Sequence, residues 1–212
     1  MSCHLRPRAA GARIFATLCL AEKGGDLLVR EVDLLRSAVV ATLIARPLQV
    51  DAWIVLPDHM HFVWTLPEGD SDYSVRIAAI KARFTRNLRQ VGWNPTLPTP
   101  SKRRKGEAGV WQRRFCEHHI RDEPDFAAHV RYCWGNPVKH GLVRHPADWP
   151  YSSIHRDISK GLVDPEWTGA MPEGAYGEQG GVSPRHTRRS IGIEPTRPSD
   201  TVTARTSCAS SA

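Results

Sequence analysis

The segment from residue 50 to residue 66 constrains the fold more than any other part of the chain. Two apolar runs, 50–56 and 59–66, are separated only by Pro57 and Asp58, a spacing that predicts an antiparallel β-hairpin. Successive side chains of a strand point to opposite faces. In the second run, the face expected to pack beneath helices is formed by Met60, Phe62, Trp64 and Leu66. The other face is formed by His59, His61, Val63 and Thr65.

The remaining elements follow in an order typical of one fold class. They are a strand at 12–20, a helix at 27–45, a helix capped by Ser71 or Asp72 that runs to about Gln90, and a fourth strand within 111–120. A last helix begins at Asp122 and is expected to end at Asn136, before Pro137. This order predicts an α+β, ferredoxin-like split βαβ fold. We expect an antiparallel sheet with helices on one face and an appended C-terminal helix that carries Tyr132.

One domain, residues 12–170, accounts for most of the predicted structure. We expect an N-terminal arm at 1–11 and, inside the domain, a long basic loop at 92–109. In the tail, 171–212, 20 of the 42 residues are Gly, Ser, Thr or Pro. Few large apolar residues remain there to be buried, so the tail is predicted to be disordered.

The net charge, the lack of a long apolar run and the cysteines limit the classes of protein to which the chain can belong. The 29 Lys and Arg residues exceed the 22 Asp and Glu residues, and the net charge of +7 suits a polyanionic partner. No apolar run approaches the ~20 residues needed to cross a bilayer, so we do not expect a membrane protein. The five cysteines are odd in number and lack C-x-x-C spacing, which argues against a disulfide framework. We expect a cytoplasmic protein.

His59 and His61 share one face of the second hairpin strand. Two imidazoles in this arrangement can bind one divalent metal such as Mn²⁺. The same pattern also suits half-exposed polar residues on a solvated sheet face, so the pair alone leaves both interpretations open. His118 and His119 are adjacent and point to opposite faces of a strand, so we interpret them as structural or solvent-facing.

The last helix carries a tyrosine and an amide one turn apart. At about 100° per residue, the predicted core stripe consists of Phe126, Val130, Cys133 and Trp134. Asp125, His129, Tyr132 and Asn136 fall on roughly the opposite side. A helical tyrosine is usually a packing residue with its hydroxyl at the surface. Beside a histidine-bound metal it suggests a phenolate nucleophile, which needs help to ionise because an unperturbed tyrosine has a pKa of about 10.

Four sequence motifs together resemble one known family. They are LPDHMHF at 56–62, WQ at 111–112 with Phe115, Glu117 and His118, YCWGNPVKHGLV at 132–143, and DWPYSS at 148–153. The pattern is similar to that of the REP-associated tyrosine transposases, single-tyrosine HUH enzymes that act on single-stranded DNA. The resemblance covers roughly residues 13–167.

The resemblance implies a metal-dependent nuclease that cuts and rejoins single-stranded DNA at REP-type hairpins. Carried over by motif, His59, His61 and Asn136 become ligands of Mg²⁺ or Mn²⁺, and Tyr132 becomes the nucleophile. Attack by Tyr132 would leave a 5′-phosphotyrosine link and a free 3′-OH that can reverse the step. No nucleotide cofactor is therefore needed. The resemblance leaves open whether the protein is a monomer or a homodimer.

Several basic residues are candidates for contacts with DNA phosphates. Such contacts give salt-dependent affinity with little sequence preference. The candidates are Arg76, Lys81, Arg83, Arg86, Lys102, Arg103, Arg104, Arg113, Arg114 and Lys139.

Two other functions remain open from the sequence. The first is a domesticated, catalytically inactive protein that binds DNA hairpins through the same basic surface. The second is a rolling-circle initiator or relaxase, which shares the paired histidines but does not explain the Asn136-Pro137 and DWP motifs.

Overall fold

The computed structural model describes residues 11–93 and 109–170, together with Ser101 and Arg104. These residues belong to one compact unit. All but the last residue of the predicted arm at 1–11, nearly all of the segment 94–108 and the tail at 171–212 lie outside the described residues. The predictions made for the arm, for most of the basic loop and for the tail therefore stay predictions.

Within residues 11–93 and 109–170, the fold consists of four strands and five helices. The strands are β1 (Arg13–Cys19), β2 (Gln49–Val55), β3 (His59–Thr65) and β4 (Cys116–His119). The helices are α1 (Leu27–Arg30), α2 (Val32–Ala45), α3 (Tyr73–Gln90), α4 (Glu123–Lys139) and α5 (Ile154–Ser159), with a 3₁₀ turn at Pro146–Asp148. In the described part of the chain, no helix is both long enough and apolar enough to cross a membrane.

The four strands form one antiparallel sheet in the order β2-β3-β1-β4. β1 and β2 are parallel to each other with β3 between them, which is the split βαβ arrangement that the sequence predicted. In the register of the sheet, Thr17 lies opposite His61 and Phe15 lies opposite His118. These pairs bring side chains from three strands onto the face that carries the two histidines of β3.

Helices cover both faces of the sheet. α2 and α3 pack on the face predicted to be apolar, where Met60, Phe62, Trp64 and Leu66 are buried. The appended helix α4 covers the opposite face and packs on Phe15, Ala52, Ile54 and Val63. The histidine face of β3 is therefore a buried layer between the sheet and α4, and it is not solvated.

Two helix boundaries differ from the prediction. The helix expected at 27–45 is interrupted at Glu31 (φ −109°, ψ 32°), which gives α1 and α2. α4 continues through Pro137 to Lys139, although the sequence predicted an end at Asn136. Proline lacks one N–H and so removes one intrahelical hydrogen bond. In the last turn this loss is small, and the His140 N–H still bonds to the Asn136 carbonyl at 3.0 Å.

Candidate active site

His59 and His61 lie side by side on β3, with their rings near each other. The ring centroids are 5.0 Å apart and the ring planes meet at 81°. His61 is fully buried, and His59 is half-buried at the end of the strand. The alternation of β3 places both imidazoles on one face, as the hairpin pattern predicted. That this face is covered by α4 was not predicted, because the sequence led us to expect helices on the opposite face only.

A polar partner holds Nδ1 of each ring. Asp58 Oδ1 lies 2.7 Å from Nδ1 of His59, and Thr17 Oγ1 lies 2.8 Å from Nδ1 of His61. When each Nδ1–H donates to its partner, Nε2 is the nitrogen through which the ring can bind a metal. Burial works to raise the pKa of Asp58, but its hydrogen bonds with His59 and with the Gly24 N–H outweigh burial and lower that pKa.

Tyr132 faces the sheet, which corrects the expected orientation of α4. Its side chain is 1% exposed, and its ring lies 5.3 Å from the ring of His61 and 5.8 Å from that of Phe15. The predicted core residues Phe126 and Trp134 are only half-buried. The sequence prediction failed here because α4 buries a wide arc, so its polar residues also point inward.

The residues that follow Tyr132 place an ammonium group and an amide beside it. Lys139 Nζ donates a hydrogen bond of 3.1 Å to the Tyr132 hydroxyl and lies 4.9 Å from the ring centroid. Asn136 follows one turn after Tyr132 and is fully buried. Lys139 was predicted to contact DNA, and its contact with the tyrosine hydroxyl was not foreseen.

Three side chains here carry donor atoms of the kind that bind divalent metals. Nε2 of His59 is buried and makes no hydrogen bond within the described part of the chain, which is costly unless another ligand satisfies it. Nε2 of His61 and Oδ1 of Asn136 are buried as well. Two imidazole nitrogens and one amide oxygen suit Mn²⁺ and related ions, although they do not identify the metal.

A small groove adjoins the site at His59. It has a volume of about 250 Å³ and is lined by Gly24, Gly25, Leu56, Pro57, Asp58, His59, His140 and Leu142. The His140 ring lies 5.1 Å from the His59 ring. Sequence reasoning gave no role to His140, because its position beside His59 depends on how α4 ends.

Comparisons with known proteins identify the family. No family model matches the sequence. The chain is 38% identical over 179 residues to a REP-associated tyrosine transposase of Escherichia coli (strain K12), covering 84% of this chain and 98% of that protein. The chain belongs to the REP-associated tyrosine transposases. A relative from Haemophilus influenzae with the same family name is 40% identical over 173 residues, covering 80% of this chain and 94% of the relative.

A solved structure of this family supports the same assignment. A REP-associated tyrosine transposase bound to a REP hairpin is similar in fold, with a TM-score of 0.71 and 38% identity. The match covers 84% of this chain and 98% of that one. The family resemblance and the fold class predicted from the sequence are thus both confirmed.

Arg76 is a structural residue, contrary to the expectation that it contacts DNA. It is 2% exposed, and its guanidinium donates to Asp70 at 2.6 Å and to the carbonyls of Arg46 and Pro47 at 3.0 Å. The hydrogen bond from Arg76 is the main reason that the pKa of Asp70 is lowered. Because its guanidinium group is enclosed by the protein, Arg76 is not accessible to a DNA phosphate.

The other residues predicted to contact DNA differ in how far they are exposed. Lys81 Nζ donates to the Gln112 carbonyl at 2.6 Å, so it anchors the segment before β4. Arg86, Arg104, Arg113 and Arg114 are exposed, and Arg83 is half-buried. Arg83 and Arg86 belong to α3, which packs on the opposite face of the sheet from Tyr132. Lys102 and Arg103 lie outside the described residues.

Proposed function

We propose that this transposase binds single-stranded DNA hairpins of the REP type and cleaves and rejoins them through a 5′-phosphotyrosine at Tyr132. The observation that carries the proposal is the position of the Tyr132 ring, 5.3 Å from the His61 ring and under the Lys139 ammonium. The family relative bound to a REP hairpin supports the choice of DNA partner.

His59, His61 and Asn136 are the residues that would hold a divalent ion, Mg²⁺ or Mn²⁺. When bound, such an ion supplies Lewis-acid polarisation of a phosphate oxygen. When each Nδ1–H donates to its partner, Asp58 and Thr17 fix the orientation of the two rings and leave Nε2 for the ion. The burial of this layer between β3 and α4 lowers the local dielectric and strengthens these polar contacts.

Tyr132 performs the covalent step. Its phenolic oxygen loses a proton and forms a bond to the scissile phosphorus, while the bond from phosphorus to the 3′ oxygen breaks. The 5′ phosphate stays on the tyrosine, and the departing 3′ oxygen takes up a proton. Lys139 stabilises the negative charge on the phenolic oxygen, since its Nζ lies 3.1 Å away. Reversal of the same step by a 3′-OH rejoins the strand without a nucleotide cofactor.

The exposed arginines extend the surface available to the nucleic acid. Arg113 and Arg114 are exposed and precede β4, the strand that pairs with β1. We assign these two arginines to contacts with DNA phosphates near the site. Phosphate contacts of this kind position the strand and carry no sequence information. Arg83, Arg86 and Arg104 would contribute only general attraction for DNA.

The test is incubation of the full chain with a single-stranded REP hairpin oligonucleotide, with and without Mn²⁺, followed by a denaturing gel. We expect a metal-dependent band of protein joined to DNA in the wild type. Tyr132→Phe should abolish the band and leave hairpin binding intact, while Tyr151→Phe serves as the matched control. Salt-sensitive binding with no adduct under Mg²⁺ or Mn²⁺ would instead support the inactive hairpin-binding alternative.

A further inference from the structure

A second cluster of metal-binding side chains lies away from the His59–His61 pair. His118 projects from β4, and Asp125 and His129 lie one turn apart on α4. One potential ligand atom from each of the three residues lies within 4.8 Å of the others. The ring of Phe15 separates this cluster from the first site, since it lies 4.8 Å from the His129 ring and 5.6 Å from the His61 ring.

The three side chains lie close enough together to share one ion. Asp125 Oδ2 lies 2.8 Å from Nε2 of His118, and Asp125 Oδ1 lies 3.1 Å from Nδ1 of His129, which also lies 2.8 Å from the backbone carbonyl oxygen of Asp125. Two ligands at about 2.1 Å from a tetrahedral zinc ion are about 3.4 Å apart, so a shift of about 0.3 to 0.6 Å would bring the hydrogen-bonded atoms to ligand spacing. The two imidazole rings are nearly parallel, with an interplanar angle of 14° and centroids 4.5 Å apart. Both rings therefore approach the same carboxylate.

We propose that His118, Asp125 and His129 form a second metal site, which binds a divalent transition-metal ion of the zinc class. Two nitrogens and one carboxylate favour such ions over Mg²⁺ or Ca²⁺. On binding, the ring nitrogen that faces Asp125 gives up its proton and becomes the ligand, and the other nitrogen of the same ring takes up a proton. The Arg121 side chain is exposed and can turn away, while its backbone N–H continues to support the carboxylate at 3.0 Å.

A metal at this site would tie β4 to the first half of α4. His118 belongs to the edge strand of the sheet, and Asp125 and His129 precede Tyr132 on the same helix. His118 is 38% exposed, which gives an ion access from solvent. The role of the site is therefore structural, because it fixes the helix that presents the tyrosine.

The test uses the full chain with the first site removed by the double substitution His59→Ala/His61→Ala. Zinc bound per chain is measured after equilibrium dialysis at pH 7, with and without the added substitution Asp125→Asn. We expect bound zinc to fall by one ion per chain when Asp125→Asn is added. Glu123→Gln removes an exposed carboxylate in the same helical turn and should leave the bound zinc unchanged.

Thermal unfolding gives an independent readout. Zinc should raise the Tm of the double variant and should not raise it once Asp125→Asn is present, because a ligand of the folded state stabilises it. If Asp125→Asn prevents folding, as circular dichroism would reveal, the more exposed His118→Ala should produce the same loss of one ion. Equal zinc stoichiometry with and without these substitutions would overturn the proposal and leave the cluster as a hydrogen-bonded network alone.

Discussion

The hydroxyl oxygen of Thr17 lies 2.8 Å from Nδ1 of His61, within the buried layer between the sheet and α4. The two residues are direct partners in the pairing of β1 with β3. Thr17 is 3% exposed and His61 is fully buried, so no water competes for this contact. The contact fixes which ring nitrogen of His61 faces the proposed metal.

Thr17→Val is expected to weaken the metal site without disrupting the fold. Valine keeps the shape of threonine but cannot accept the Nδ1–H of His61, and loss of such a partner typically costs about 10- to 100-fold in metal affinity. The measurement is the Mn²⁺ concentration that gives half-maximal adduct with a hairpin oligonucleotide. Thr65→Val is the matched control, since Thr65 lies on the same strand as His61 but bonds to Asp51. An unchanged Mn²⁺ requirement for Thr17→Val would contradict this role.

Lys139→Met is expected to slow formation of the covalent adduct more than it weakens hairpin binding. A hydrogen bond to a charged group contributes about 1.5–3 kcal/mol, so the rate should fall about 10- to 100-fold. Single-turnover kinetics at saturating protein separate the chemical step from binding. Lys160→Met provides a control at an exposed lysine. If affinity falls and the saturated rate does not, Lys139 is a DNA contact and not an aid to Tyr132.

Arg76→Ala is expected to destabilise the folded chain. Removal of one partner from a fully buried ion pair typically costs about 3–5 kcal/mol. The Asp70 side chain is 26% exposed, so its charge is partly hydrated and we expect a loss towards the lower end of that range. The substitution also leaves the Arg46 and Pro47 carbonyls without the Arg76 donor. Urea unfolding measures the loss. Exposed Arg86→Ala should change stability by no more than about 0.5 kcal/mol. A stable Arg76→Ala variant with weakened DNA binding would restore the original sequence-based expectation.

Acid should remove the stabilisation that Asp125 provides. Because its folded-state pKa is lowered from 3.8 to about 2, the ionised carboxylate stabilises the fold above about pH 4, and this stabilisation is lost as the pH falls through 2. The shift corresponds to about 2 kcal/mol. In EDTA, the difference in unfolding free energy between wild type and Asp125→Asn should be largest above pH 4. A difference that is the same at pH 5 and pH 2 would show that the carboxylate charge is not responsible.

Local patterns in the sequence predicted the features that depend on one element at a time. The alternation of β3 gave the shared face of His59 and His61, and the order of elements gave the sheet topology. The sequence could not predict that Thr17 is the hydrogen-bond partner of His61. The two residues are 44 positions apart in the chain, and only the register between β1 and β3 brings them together.

The other predictions that failed concern how helices and strands pack against one another. A helical projection separated Tyr132 from the core stripe, yet α4 buries Tyr132 as well as Val130 and Cys133 of that stripe, because it lies across the sheet. The sequence indicated that Arg76 is a surface cation, because it flanks the apolar stripe of α3. Its burial depends on the Arg46 and Pro47 carbonyls at the end of α2, which no local pattern places beside α3.

The most direct test of the central claim is to identify the residue that becomes joined to DNA. A hairpin oligonucleotide is incubated with the full chain and Mn²⁺, the adduct is digested with nuclease and protease, and the modified peptide is sequenced by mass spectrometry. The account predicts a nucleotide attached through its 5′ phosphate to Tyr132. Attachment to Tyr73, Tyr151 or any other residue would contradict it.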